Sequence, residues 1–245
     1  EPQSRDVFAM DTYMTLTAYG DNAENALDKA EAEIERLDNL LSTGDGNSEI
    51  YALNQNGTGT ISEDTEILLD ESEKLYTDTD GVFDITIYPV MDAWGFTTQN
   101  YRIPSEEELK GLLENVNASK IQYDKASKKV ALPAGVKIDF GGIAKGYTSS
   151  RIMGIYKKCG VTSGMVSLGG NVQLLGAKPD GSFWRVAVQS PDDTNDYLGV
   201  LEAEDKAVIT SGGYERYFEE NGKIYHHIID PATGYPAENG LKSVT

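Results

Sequence analysis

The chain has few of the residues that most often carry chemistry. Its one cysteine, Cys159, excludes an internal disulfide and a cysteine metal cluster, and reads as a structural thiol. Its two histidines, His226 and His227, stand side by side. Basic residues number 21 against 40 acidic ones, so the net charge is −19. A field of that sign repels nucleic acid backbones, and no nucleic-acid partner is expected. A bound phosphate must be held locally, by backbone N–H groups, a lysine or a metal ion. No apolar run approaches a membrane-spanning length. The opening residues EPQSRD are not a signal peptide, which leaves the compartment open.

What is present is ordinary globular composition, 39% hydrophobic and 25% charged, which excludes a disordered chain. Residues 7–19, VFAMDTYMTLTAY, alternate as a strand. Asp21 or Asn22 is placed to cap a helix whose apolar face is Ala23, Ala26, Leu27, Ala30, Ile34, Leu37 and Leu41. Ser48 caps a short helical piece through Leu53. Ser62 caps a long helix in which Ile67, Leu68, Leu75 and Tyr76 recur. Ser105 and Glu108 have capping-box spacing. IQYDKASKKVAL reads as a surface hairpin, and a helix from Ala144 to Lys158 follows. After Val161 come short strand-like runs separated by Gly, Pro, Asp and Asn. Helices early and strands late imply an α+β fold rather than a regular βαβ series.

Four polar, glycine-marked stretches stand out: TDGVFDITIYPVMDAWGF (79–96), VKIDFGGIAKGY (136–147), SLGGN (167–171) with TSGGYERYF (210–218), and HHIIDPATG (226–234). In the second, Asp139 ends a strand-like run and Gly141–Gly142 allow a sharp turn. Lys145 then falls in the first turn of a helix. A helix N-terminus with an ammonium makes a local anion site that suits a diphosphate. The alternative is a plain strand–turn–helix junction. The pattern is neither a P-loop nor a dinucleotide fingerprint. In the first stretch Phe83, Tyr88, Trp94 and Phe96 either stack on a planar ring or fill a core. Asp84 and Asp92 either bind metal or terminate turns. Neighbours in a strand face opposite ways, so only one of His226 and His227 is placed to do chemistry. A neutral histidine can take a proton from a hydroxyl. Asp230 either orients His227 or closes the Asp-Pro turn.

Together these stretches, from AMDTYMT through HIIDPATG, resemble the ApbE family of flavin transferases. The resemblance implies a single α+β flavin transferase domain over 1–245, with two lobes around the flavin nucleotide. It implies Mg²⁺-dependent transfer of FMN from FAD to a threonine hydroxyl of an acceptor protein, releasing AMP. By the same resemblance Met10, Val82, Phe83, Asp84, Asp139, Lys145, Thr210, Ser211 and Gly212 contact FAD, the Gly142 carbonyl binds Mg²⁺, and His227 and Asp230 lie at the reaction centre. Family members are typically exported and lipid-anchored. That implies a cell-surface or periplasmic protein held peripherally at the plasma membrane by a lipid outside this chain. Two departures are visible. Gly44 stands where many members carry a tyrosine against the isoalloxazine ring. The family also continues past LKSVT into a segment with an Asp and a Thr that ligate Mg²⁺, and 1–245 is expected to lack it. The rival readings are an FAD pyrophosphatase giving FMN and AMP, and a non-catalytic flavin-binding protein.

Overall fold

A computed structural model describes residues 1–193 and 195–245. The chain order opens with β1 (Gln3–Ala9), β2 (Thr12–Ala18), α1 (Ala23–Leu41), α2 (Glu49–Asn56), β3 (Thr58–Thr60) and α3 (Glu63–Asp78). Next come α4 (Tyr88–Ala93), α5 (Glu106–Leu113), β4 (Gln122–Asp124), β5 (Lys129–Ala131) and α6 (Ala144–Lys158). The remainder is β6 (Gly164–Leu168), β7 (Asn171–Leu175), β8 (Trp184–Gln189), β9 (Tyr197–Ala203), β10 (Ala207–Val208), β11 (Ser211–Gly212), β12 (Tyr217–Glu220), β13 (Lys223–His226) and β14 (Ser243–Val244). The mixture is α+β. Two compact units share these elements. One holds Glu1–Asp38, Lys145–Gly212 and Lys242–Thr245, and the other holds Asn39–Ala144 and Gly213–Leu241.

The first unit is built on an antiparallel sheet in the order β1-β2-β6-β7-β10. Every apolar position read on α1 is buried. Ala23, Ala26, Leu27, Ala30 and Ile34 of α1 pack with Ile152, Met153 and Tyr156 of α6 against Val7, Met14, Leu16, Val166 and Leu168 of the sheet. A second cluster joins Leu174 and Val208 to Trp184 and Val186 of the β8–β9 hairpin. The expected strand over 7–19 is instead a hairpin. Met10 and Asp11 take φ values of 49° and 56°, a left-handed pair that reverses the chain in two residues. Alternation alone could not reveal this, because the usual Asn-Gly or Asp-Gly signal is missing. The Asn22 amide donates to the carbonyl of Cys159 at 3.0 Å, tying the start of α1 to the end of α6.

In the second unit the three serine caps form as expected. Ser48 accepts from the Ile50 N–H, Ser62 from Thr65 and Ser105 from Glu108. The Glu108 carboxylate pairs with Arg102. Of the α3 positions, Leu68 is buried while Ile67 faces outward. The hairpin over 121–132 is present as β4 and β5, with β3 on the other side of β5. The core gathers Val90, Trp94, Phe96 and Leu109, with Phe218, Tyr225 and Tyr235 packed against them.

One buried polar side chain organises this unit's irregular segments. Asn54 on α2 donates to the Ile138 carbonyl and accepts from the Ile138 N–H, both at 2.8 Å. It thereby satisfies a backbone with no sheet partner. Residues 136–140 are not a strand, contrary to expectation, although Val136, Ile138 and Phe140 alternate inward as strand residues would. Asn54→Ala would leave both Ile138 groups unpaired, at a cost of at least about 2 kcal/mol. In a thermal melt the midpoint should fall by roughly 4–8 °C; a shift below about 2 °C would mean that solvent or a neighbour replaces the clamp.

Candidate functional site

SLGGN and the start of TSGG meet the Met10–Asp11 turn at one end of the first unit's sheet, and antiparallel pairing dictates it. β1 and β2 turn at Met10–Asp11, and β6 and β7 turn at Gly169–Gly170. β10 runs back toward the same end, with Val208 opposite Val172. Thr210 therefore leaves the sheet there, followed by Ser211 and Gly212, which pair with Val244 and Ser243. The Thr210 hydroxyl lies 2.8 Å from that of Thr245. Gly169 has φ +59°, and a Cβ on it would come within 2.3 Å of the Thr12 hydroxyl, so only glycine fits this turn.

Helix α6 brings a cation to the same end. The Met10 N–H donates to Asp38 at 3.0 Å, and the Thr148 hydroxyl donates to the Met10 sulfur at 3.7 Å. Thr148 lies three residues beyond Lys145, so the two share a face of α6. Lys145 is half-buried in the first helical turn, and its ammonium forms no ion pair among the described residues. Met10, Lys145 and Thr210–Gly212 thus belong to one unit and to one end of its sheet. Thr148 was not anticipated, because its partner is 138 residues away in sequence.

The second unit holds the remaining candidates. Asp139 follows the Asn54 clamp, and its N–H donates to the Ile85 carbonyl at 3.0 Å. Its carboxylate accepts from the Gly141 N–H. Burial pushes the Asp139 carboxyl up from the ordinary range, while the Gly141 N–H and the charge of Arg216 pull it back down. Gly141 and Gly142 do not adopt left-handed φ. Their role is close approach: a Cβ on Gly142 would lie 2.9 Å from the Phe83 ring. Phe83 is half-buried against that glycine, and Val82 is exposed.

Asp84 resolves toward turn-making. Its Oδ1 accepts from the Thr86 N–H and hydroxyl at 2.8 and 2.6 Å, and its Oδ2 from the Ala118 N–H at 3.1 Å. Asp92 accepts from the Thr97 hydroxyl at 2.5 Å. Trp94 and Phe96 are core residues, not exposed ring platforms. Trp94 also donates from Nε1 to the Gly234 carbonyl at 2.7 Å, tying the DPATG turn to the aromatic core.

The two histidines differ in how their rings are held. β13 ends at His226, so His227 lies just past the strand, not within it. The Ile228 N–H donates to His226 Nδ1 at 3.3 Å, which makes Nδ1 an acceptor. His226 Nε2 then carries the hydrogen and donates to the Ala237 carbonyl at 3.2 Å. Both ring nitrogens of His226 are committed to backbone, and the ring also packs on Gly213. His227 Nδ1 faces the Arg216 carbonyl at 3.1 Å. A carbonyl only accepts, so Nδ1 carries the hydrogen and Nε2 is the acceptor nitrogen of the neutral ring. The His227 ring stands edge-on to Phe96, with centroids 6.4 Å apart. Asp230 closes the turn: its Oδ1 accepts from the Ala232 N–H at 2.8 Å, and its carbonyl accepts from Gly234. The Arg216 charge lowers the Asp139 carboxyl and its carbonyl meets His227, and sequence reasoning missed it because an arginine within YERYF resembles any surface cation. Among the described residues no three His, Cys, Asp or Glu side chains form a metal cluster.

Comparison with known proteins places these features in a family. The ApbE family pattern matches residues 10–245. An FAD:protein FMN transferase of Klebsiella pneumoniae is 30% identical, covering 86% of this chain and 67% of its own length. One from Haemophilus influenzae is 32% identical, covering 91% of this chain and 68% of its own. The chain thus spans about two thirds of these relatives. The crystal structure of the ApbE protein of Thermotoga maritima superposes with a TM-score of 0.94 at 33% identity, covering 99% of this chain and 80% of that one. Sequence pattern and fold agree over almost the whole length, and the chain belongs to the ApbE family.

Proposed function

We propose that this chain moves FMN from FAD onto a threonine hydroxyl of an acceptor protein, releasing AMP. FMN transfer is the activity named for its curated relatives. The observation that carries the reading is the contrast between the histidines. His226 is locked by backbone on both nitrogens, whereas the Nδ1 of His227 meets the Arg216 carbonyl, which makes Nε2 the acceptor nitrogen of the neutral ring. In the reaction the threonine oxygen attacks the phosphorus of the FMN half. The bond from that phosphorus to the bridging oxygen breaks, and AMP departs with the electron pair. The hydroxyl proton passes to His227 Nε2. Within the first unit, Lys145, whose ammonium forms no ion pair among the described residues, is assigned to phosphate charge.

The donors of the 139–142 loop suit a hard cation: the carbonyl of exposed Gly142 and the carboxylate of Asp139 are both oxygen ligands. Mg²⁺ bound there would neutralise phosphate charge. A cation would also offset the burial that disfavours ionised Asp139. We assign Val82 and Phe83 to the flavin nucleotide, with Asp84 holding their segment. An exported, lipid-anchored location rests on the family resemblance alone.

Two measurements test this. Mixing the chain with FAD, Mg²⁺ and a protein carrying a threonine-centred flavinylation motif should add one FMN to the acceptor by intact mass. FMN and AMP without that gain would make it a pyrophosphatase, and retained intact FAD would make it a binder. Asp139→Asn should separate stability from function. A carboxyl raised in the folded state costs stability as pH climbs from its unfolded value, about 3.9, through its folded one. The variant should therefore melt higher than the parent at pH 7, with the gap closing toward pH 4, while transfer falls. A variant that melts lower at pH 7 would show that the ionised carboxylate stabilises the fold.

A further inference from the structure

We propose that Arg216 is a positioning residue for transfer: its anchored guanidinium fixes the backbone carbonyl that holds His227 with Nδ1 protonated and Nε2 as proton acceptor. The inference rests on the reading of His227 as the base. Two observations in the second unit carry it. The Arg216 carbonyl receives two bonds from one residue, the backbone N–H and Nδ1 of His227, each at 3.1 Å. Arg216 Nη1 donates to the Phe96 carbonyl at 3.4 Å, and the fully buried Phe96 ring packs T-shaped with His227. One residue thus connects the aromatic core and the base.

The consequence is specific. A histidine with no fixed partner samples both neutral tautomers, and only the one with hydrogen on Nδ1 leaves Nε2 able to accept. Tethering the Arg216 backbone through its side chain selects that tautomer and its orientation. Glutamine at this position keeps a polar stem but loses the charge and the planar fork, and lysine keeps the charge without the fork.

The test uses the full chain with ¹⁵N-labelled histidine, which gives ring signals from only two residues. In the parent, long-range proton–nitrogen correlations should show hydrogen on Nε2 of His226 and on Nδ1 of His227. Arg216→Gln should leave His226 unchanged and move His227 to a tautomer mixture. Its kcat should drop about tenfold or more while KM for FAD moves less than about threefold. Arg216→Lys should recover part of both effects. Unaltered His227 signals and kcat in Arg216→Gln would overturn the proposal. If that variant fails to fold, Arg216→Lys decides: parental tautomer and parental kcat there would show that the guanidinium is not needed. The ring signals do not depend on turnover, so a parent without transferase activity would refute the functional reading while the tautomers still judged this one.

Discussion

Carrying a half-buried Asp139 carboxyl in a chain with net charge −19 is the constraint to which the second unit's irregular segments respond. Burial works against its ionised form, so the surroundings supply compensation. Asn54 takes both backbone groups of Ile138, and the Ile85 carbonyl takes the Asp139 N–H. Those bonds let an irregular segment lie inside without orphaned polar groups. The Gly141 N–H and the charge of Arg216 then act on the carboxylate itself. Arg216 passes the order on, since its carbonyl holds His227. A bound cation would complete this pattern.

The first unit places its candidate residues differently. Its sheet is regular and antiparallel, so position comes from register. Each antiparallel strand returns the chain to the same end, where Met10, the paired glycines 169 and 170 and Thr210 are delivered by turns. α6 adds Lys145 to that end because Thr148 touches Met10. The left-handed Met10 is strained for a side chain of its size, and the Asp38 carboxylate holds its N–H.

Local signals were legible wherever the physics is local. The α1 face, the caps at Ser48, Ser62 and Ser105, and the span of α6 follow from helical spacing and short-range hydrogen bonding. The hairpin at Met10–Asp11 was hidden because no glycine marks it. The extended run before Asp139 read as a strand because its alternation is real; only its hydrogen-bond partner, Asn54, lies 84 residues away. That the two histidine rings are held differently was not legible, because their backbone partners are encoded in no spacing. Trp94 looked even between ring platform and core, and its bond to Gly234 across 140 residues decides for the core.

The most direct test of the account compares His227→Ala with His226→Ala in single-turnover FMN transfer at saturating FAD. The account predicts that His227→Ala slows transfer by about 10²–10⁴-fold with FAD affinity largely kept. It predicts that His226→Ala lowers the melting temperature and leaves the rate near that of the parent, because its ring serves Ile228 and Ala237. A loss of rate confined to His226→Ala, or parental rates in both variants, would contradict it.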